Sequence, residues 1–245
     1  MYLRVIACEI MVREVCHVVA SAPSICDVDF LSQGFHDEVG PGRLKIQEVI
    51  DAQPAGKYDA ILLGYGLCNN LIAGLRARDV PLVVPRAHDC ITVLLGNKDE
   101  YDRQFKAHPG TYYYSSGWIE CRTRRGTLDI SQTGGSGTTQ FEAMVAKYGE
   151  DNARFLLEAM GSWTQHYERG ALIHYDFDAA LGLAARVQQI CEEKGWRYEC
   201  LPGQIDLLRR FVHGQWDDDA FLVVPPGHLL QPSWDGGVVR AEPVG

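Results

Sequence analysis

Short runs rich in Val, Ile and Leu alternate along the chain with stretches whose apolar residues recur at helical spacing. This is the pattern of βα units around a mainly parallel sheet. YLRVIAC at 2–8 reads as a strand, 9–20 as an amphipathic helix and CDVDFL at 26–31 as a second strand. In PGRLKIQEVIDA, Leu44, Ile46, Val49 and Ile50 fall mostly on one face, which predicts a helix covering the sheet. The strand in KYDAILLGYG runs through Leu63 and breaks at Gly64 and Gly66 into a third helix around 67–77. VPLVVPRAHDC gives a fourth strand closed by Pro85, then a helix starting near Asp89 or Cys90. Asn97 with Glu100 three residues on marks a capping box for a further helix to about Lys106.

The middle of the chain changes character. PGTYYYSSGW at 109–118 carries a run of aromatics that suits either a pocket wall or the core. Residues 122–138 are polar and glycine-rich, the composition of a long loop or lid, and helical pattern resumes at 139–147 and 151–168. Strand pattern returns in ALIHYDF, WRYECLPG and DAFLVVPPG, with helices between at 178–194 and in QIDLLRRFVHG. DAILLGYG at 59–66 and DAFLVVPPG at 219–227 echo each other, each as the third strand of a βαβαβ series. The expected fold class is therefore α/β, with two Rossmann-like lobes of mainly parallel sheet and a cleft at the strand C-terminal ends. The expected division is a first lobe over 1–120, a loop and helical connection over 121–168 and a second lobe over 169–245.

Charge and composition narrow the function classes. The net charge is -9 and no block of consecutive Lys or Arg could track a phosphate backbone, so a nucleic-acid partner is not expected. The apolar runs, such as AILL at 60–63 and AFLVV at 220–224, fall far short of the roughly 20 residues a bilayer span needs, so no membrane partner is expected either. MYLRVIAC has neither the basic nor the apolar region of a secretory leader, which predicts a cytoplasmic protein with reduced thiols. An acidic surface with a long sheet edge would permit a homodimer. The eight cysteines are irregularly spaced in a chain too large to need disulfide staples, which points some of them toward metal or catalytic work. A lone cysteine is otherwise a small, often buried apolar residue.

Cys8, Cys68 and Cys90 each fall at a strand end. In a sheet of order 2-1-3-4, strands one, three and four are neighbours, so these thiols converge on one rim. Three cysteines there suit a Zn ion or an iron–sulfur cluster with one position open for substrate, and His36 or His88 could supply a fourth ligand or a proton. His88 and Asp89 are the candidate catalytic pair. Arg86 either bridges to Asp89 or holds a substrate carboxylate. The glycines of GYGLCNN, Gly64 and Gly66, could let backbone amides cradle an anion. His228 in PPGH stands at a corresponding strand end of the second lobe. Cys16 and Cys191 sit on helices and read as structural.

ACE at 7–9, DAILLGYGLCNN at 59–70, PRAHDC at 85–90, LLGNKDEY at 94–101 and PGTYYY with GWIE across 109–120 resemble the DUF1638 family of bacterial and archaeal proteins. The resemblance continues through KYGEDNARFLLE and the last strand ending in PPG. The family name carries no activity. The resemblance implies cysteines at the positions of Cys8, Cys68 and Cys90 and a His-Asp pair at His88 and Asp89. It also implies gene neighbourhoods with corrinoid-dependent methyltransferase systems, which would make those methyltransferases partners in one-carbon metabolism. His174 and Tyr175 stand where the family usually has an acidic or polar residue, so no role passes to them.

Three readings follow. The first is a metal-binding protein, as an enzyme acting on a small thiol, methyl donor or anionic substrate. The second is a non-enzymatic two-lobed module that binds a small anionic ligand or cofactor in the cleft, accessory to corrinoid-linked metabolism. The third is catalysis by a single activated thiol, Cys8 or Cys68, with His88 as its base.

Overall fold

Strand β1 (Tyr2–Cys8) pairs parallel with β2 (Ile25–Leu31) on one side and with β3 (Ala60–Gly64) on the other. β3 pairs parallel with β4 (Leu82–Pro85), which gives the order 2-1-3-4 that the sequence predicts. Every side chain of β3 and β4 is buried, as continuous apolar runs require when both faces of a parallel sheet are covered. The computed structural model describes residues 1–36, 38–124, 150 and 167–244. Apart from their margins, the loop expected over 122–138 and the helical patterns at 139–147 and 151–168 lie outside the described residues.

A short 3-10 turn (Glu9–Met11) leads from β1 into helix α1 (Val12–Val19), and α2 (Val39–Asp51) precedes β3. After β4 come α3 (Cys90–Leu95) and α4 (Lys98–Ala107), the latter capped by Asn97, whose Oδ1 accepts the Glu100 N–H at 2.8 Å. β5 (Thr111–Tyr114), α5 (Ser116–Arg124), β6 (Arg169–His174), α6 (Leu183–Lys194) and β7 (Arg197–Pro202) follow. The chain ends with α7 (Asp206–Val212), β8 (Phe221–Val224), β9 (His228–Pro232) and β10 (Val239–Pro243), the last two forming an antiparallel pair.

Two compact units result, one of Met1–Arg103 with Gly203–Gly245 and one of Gln104–Pro202. These boundaries differ from the expected 1–120, 121–168 and 169–245. TYYY forms β5 and pairs parallel with β6, which pairs parallel with β7, so it belongs to the second unit. That unit's core gathers Tyr114, Leu172, Val187 and Cys191, with Tyr112 packed on Trp196 and Tyr167. FLVV forms β8 and returns to the first sheet antiparallel to β4, with Phe221 opposite Pro85 and Val224 opposite Leu82. The echo of 59–66 in 219–227 therefore joins two strands of one sheet.

Residues 67–77 do not form the expected helix. Cys68, Asn69 and Asn70 take left-handed backbone angles (φ 46, 55 and 63°), which no right-handed helix can continue. Farther on, the amides of Gly74 and Ala77 donate to the carbonyls of Leu230 and His228. Tertiary bonds to other elements thus outcompete the local ones.

Near the start of β1 and β2, the Asp27 carboxylate accepts from Lys57 Nζ (2.8 Å), Tyr58 OH (2.7 Å) and Tyr2 OH (3.0 Å). These bonds, Lys57 first, pull its pKa down to about 2. The folded state favours the charged form, so this contribution is complete above the unfolded value of about 4 and is lost as pH falls toward 2. Urea titrations across that window should show a flatter acid limb for Asp27→Asn than for the native chain.

Candidate functional site

Because β1, β3 and β4 run parallel, they end on the same edge of the sheet, and the three expected cysteines follow those ends. Cys8 closes β1, Cys68 lies four residues past β3, and Cys90 opens α3 after β4; they are 1%, 6% and 6% exposed. The loops after β3 and β4 are tied together by Leu67 N–H to the Ala87 carbonyl and Cys68 N–H to the His88 carbonyl, both 2.8 Å. The two expected cradle glycines serve close approach. A Cβ on Gly64 would stand 2.6 Å from Ala7 Cβ, and one on Gly66 would stand 2.7 Å from the backbone N, Cα and C of Asp89.

The left-handed turn Cys68–Asn70 is a costly arrangement, on the order of 1 kcal/mol for each non-glycine residue, and persists only where surroundings enforce it. Arg43 of α2 supplies part of that enforcement, donating to the carbonyls of Asn70 (Nη2, 2.7 Å) and Leu71 (Nε, 3.3 Å). The turn aims the Cys68 sulfur at two backbone amides, those of Gly66 and Cys90. Burial nonetheless pushes the thiol up to about 12, with the Asp89 charge adding to the rise and the two amides opposing it. At neutral pH Cys68 is therefore a protonated thiol, the opposite of the lowered pKa an activated nucleophile needs.

Around the end of β1, Glu9 Oε1 accepts the Gln33 N–H (2.8 Å) and the Ser32 hydroxyl (3.3 Å), while the Gln33 carbonyl meets His36 Nδ1 at 3.0 Å. His36 is thus connected to the residue after Cys8. Tyr65, between the two close-packed glycines, is 1% exposed, and its phenol lies within electrostatic reach of Cys8, Cys68 and Glu9. Desolvation first, then those three groups, pushes the phenol above its usual range, so it remains a hydrogen-bond donor. Its hydroxyl finds no partner among the described residues. All eight cysteines are described and none is in a disulfide. Among the described residues no three His, Cys, Asp or Glu side chains stand ready to hold a metal ion.

The other expected residues take separate places. Asp89 caps α3, its Oδ1 accepting from Thr92 N–H (2.9 Å) and Thr92 Oγ1 (3.0 Å). The side chain of His88 is exposed and lines an open pocket of about 250 Å³ with Lys98, Asp99, Tyr101 and Asp102. Arg86 donates through Nε to the carbonyls of Asp218 (2.7 Å) and Phe221 (3.1 Å), and through Nη1 to those of Gly237 (2.8 Å) and Val239 (2.6 Å). Among the described residues it makes no bridge to Asp89, and its Nε and Nη1 are engaged by backbone carbonyls. His228 follows the C-terminal end of β8, and because β8 is antiparallel to β4, it lies past the opposite edge of the sheet from the cysteines. Tyr65, Glu9 and Arg43 went unmarked in the sequence; the positions of Tyr65 and Glu9 beside Gly64 and Cys8 were the available signals.

A family model described as "Protein of unknown function (DUF1638)" matches residues 30–212. No curated protein and no solved structure matches the chain. Among the described residues no helix is long and apolar enough to cross a membrane.

Proposed function

The chain belongs to the DUF1638 family, whose description assigns no activity, and we propose that it holds a metal centre, Zn or an iron–sulfur cluster, through Cys8, Cys68 and Cys90. The observation that carries this reading is the placement of three buried cysteines, Cys8, Cys68 and Cys90, at or past the ends of three parallel strands at one edge of the sheet, with the amides of Gly66 and Cys90 favouring the Cys68 thiolate. A neutral thiol is a poor acceptor, whereas a metal-bound thiolate is a good one, and amide bonds to sulfur are a recognised lever on thiolate centres. A cation beside Cys68 would also remove the desolvation cost that keeps its proton on. As the side chains stand, the three sulfurs are not a ready ligand set, so a bound metal would have to draw them together.

His36 is the candidate fourth ligand, since its Nδ1 already faces a carbonyl, the contact that orients metal-ligating histidines. His88, in the exposed pocket, is left for proton transfer to a bound small molecule. When bound, zinc would lower the pKa of a thiol or water in an open position, and a cluster would carry electrons. We read each unit as a Rossmann-like lobe in a cytoplasmic protein, whose reducing surroundings keep the three thiols available.

Elemental analysis of protein purified without oxygen or an affinity metal should find zinc, or iron with sulfide, in stoichiometric amount. Cys68→Ser should lose most of it, while Cys200→Ser, at an exposed position on β7, should keep it. Metal-free native protein, or a Cys68→Ser variant with unchanged metal, would overturn the reading.

A further inference from the structure

We propose that the open pocket beside His88 binds a small zwitterion of the amino-acid type, its carboxylate meeting Lys98 and its ammonium group meeting Asp99. This goes beyond the metal reading and does not depend on it. The pocket lies wholly within the unit of Met1–Arg103 and Gly203–Gly245. Its walls are the first turns of α4, the segment that follows the C-terminal end of β4, and Gly236 of the turn between β9 and β10. The strand ends of a parallel sheet are where α/β folds place ligands.

The wall carries both signs of charge, and these charges do not pair with one another. Elsewhere on α4, Glu100 and Arg103 do pair, through bonds of 2.8 and 2.7 Å. Lys98 instead gives one bond of 2.7 Å from Nζ to the Gly236 carbonyl, which leaves two of its three donors for a ligand. Among the described residues the Asp99 carboxylate makes no hydrogen bond or ion pair, and neither does the His88 ring. The Lys98 bond also ties α4 to the β9–β10 turn, and that turn is fixed in its own right. Asp235 Oδ1 accepts from Ser233 Oγ (2.7 Å) and Gly237 N–H (2.9 Å), while Arg86 Nη1 holds the Gly237 carbonyl. A ligand therefore enters a recess that is already formed, which lowers the ordering cost of binding.

Charge sign then selects the ligand. A lone anion beside Lys98 would also face the carboxylates of Asp99 and Asp102, and a lone cation beside Asp99 would also face the Lys98 ammonium. A molecule with both charges meets an opposite for each. The volume of about 250 Å³ holds roughly eight waters, the size of a small amino acid rather than of a larger cofactor.

The test titrates native protein with glycine, L-alanine, L-serine and β-alanine, and separately with acetate and ethylammonium, in excess EDTA, following backbone amides by NMR. At least one amino acid should shift the amides around His88, Lys98 and Gly236 to saturation, at a concentration at least tenfold below that needed by acetate or ethylammonium. Asp99→Asn and Lys98→Met should each weaken its binding by roughly tenfold, the loss of one bond to a charged group. Lys98→Met also gives up the bond to Gly236, so Asp99→Asn is the decisive variant, and it should melt close to the native temperature. Four amino acids that leave these amides unmoved, single charges that bind as tightly as the best of them, or native affinity in Asp99→Asn would each overturn the proposal. The metal reading is judged by metal content alone, so either can fail while the other stands.

Discussion

Gly66→Ala should cost the folded protein roughly 3 kcal/mol and lower the occupancy of the metal centre proposed at the cysteine rim. The new Cβ would stand 2.7 Å from three backbone atoms of Asp89, a separation that side-chain rotation cannot relieve. Either the loop after β3 or the loop before α3 must therefore move. That motion pulls on the 2.8 Å bonds from Leu67 to Ala87 and from Cys68 to His88. It also displaces Asp89, whose bonds to Thr92 cap α3 and whose loss alone is worth about 1 kcal/mol. Cys68 and Cys90 sit at the two ends of this contact, so a shift of either loop separates their sulfurs. Gly40→Ala is the control: a Cβ there meets nothing within 4 Å, and in α2 alanine should be neutral or stabilising by about 0.5 kcal/mol. Urea midpoints and metal content of the two variants check this together. Native stability and full metal in Gly66→Ala would show that the loops do not meet as closely as the fold requires.

The same close approach shows where sequence reading succeeds and where it stops. The strands β1, β3 and β4 were legible because each is a short apolar run ended locally by glycine, proline or a polar turn, and their order followed from the doubly wound arrangement that repeated βα units favour. The placement of Cys8, Cys68 and Cys90 at one edge followed from that order alone. Strand direction was not legible in FLVV, since an apolar run reads alike both ways, and only its pairing with β4 sets β8 antiparallel. Likewise Leu67, Leu71, Ile72 and Leu75 carry helical spacing, but the left-handed turn at Cys68–Asn70 among them and the bonds of Gly74 and Ala77 to the β9 segment decide otherwise. Tyr65 marks the same limit at the site. Whether a buried hydroxyl meets a partner depends on what the fold brings beside it, and no local pattern encodes that.

Arg86→Ala is expected to lower stability by about 3 kcal/mol while leaving the metal content of the folded fraction unchanged. The sequence allowed Arg86 to be an anchor for a substrate carboxylate, and the two roles predict different results. In the structure its guanidinium binds carbonyls at Asp218, Phe221, Gly237 and Val239, joining the end of β4 to the approach to β8 and to the start of β10. Each bond to a charged donor is worth about 1.5–3 kcal/mol in isolation, but four that share one side chain do not add. Removing the side chain takes four bonds from the approach to β8 and the start of β10, and the edge strand β8 loses the clamp that holds its first residue. Lysine cannot replace it, because a point charge on a flexible stem does not reproduce the planar fork. Arg86→Lys should therefore recover less than half of the loss in a urea titration. An anion anchor would behave in the opposite way: Arg86→Lys would keep nearly native stability, and the change would appear in ligand affinity. Near-native stability in Arg86→Ala would return the residue to the ligand.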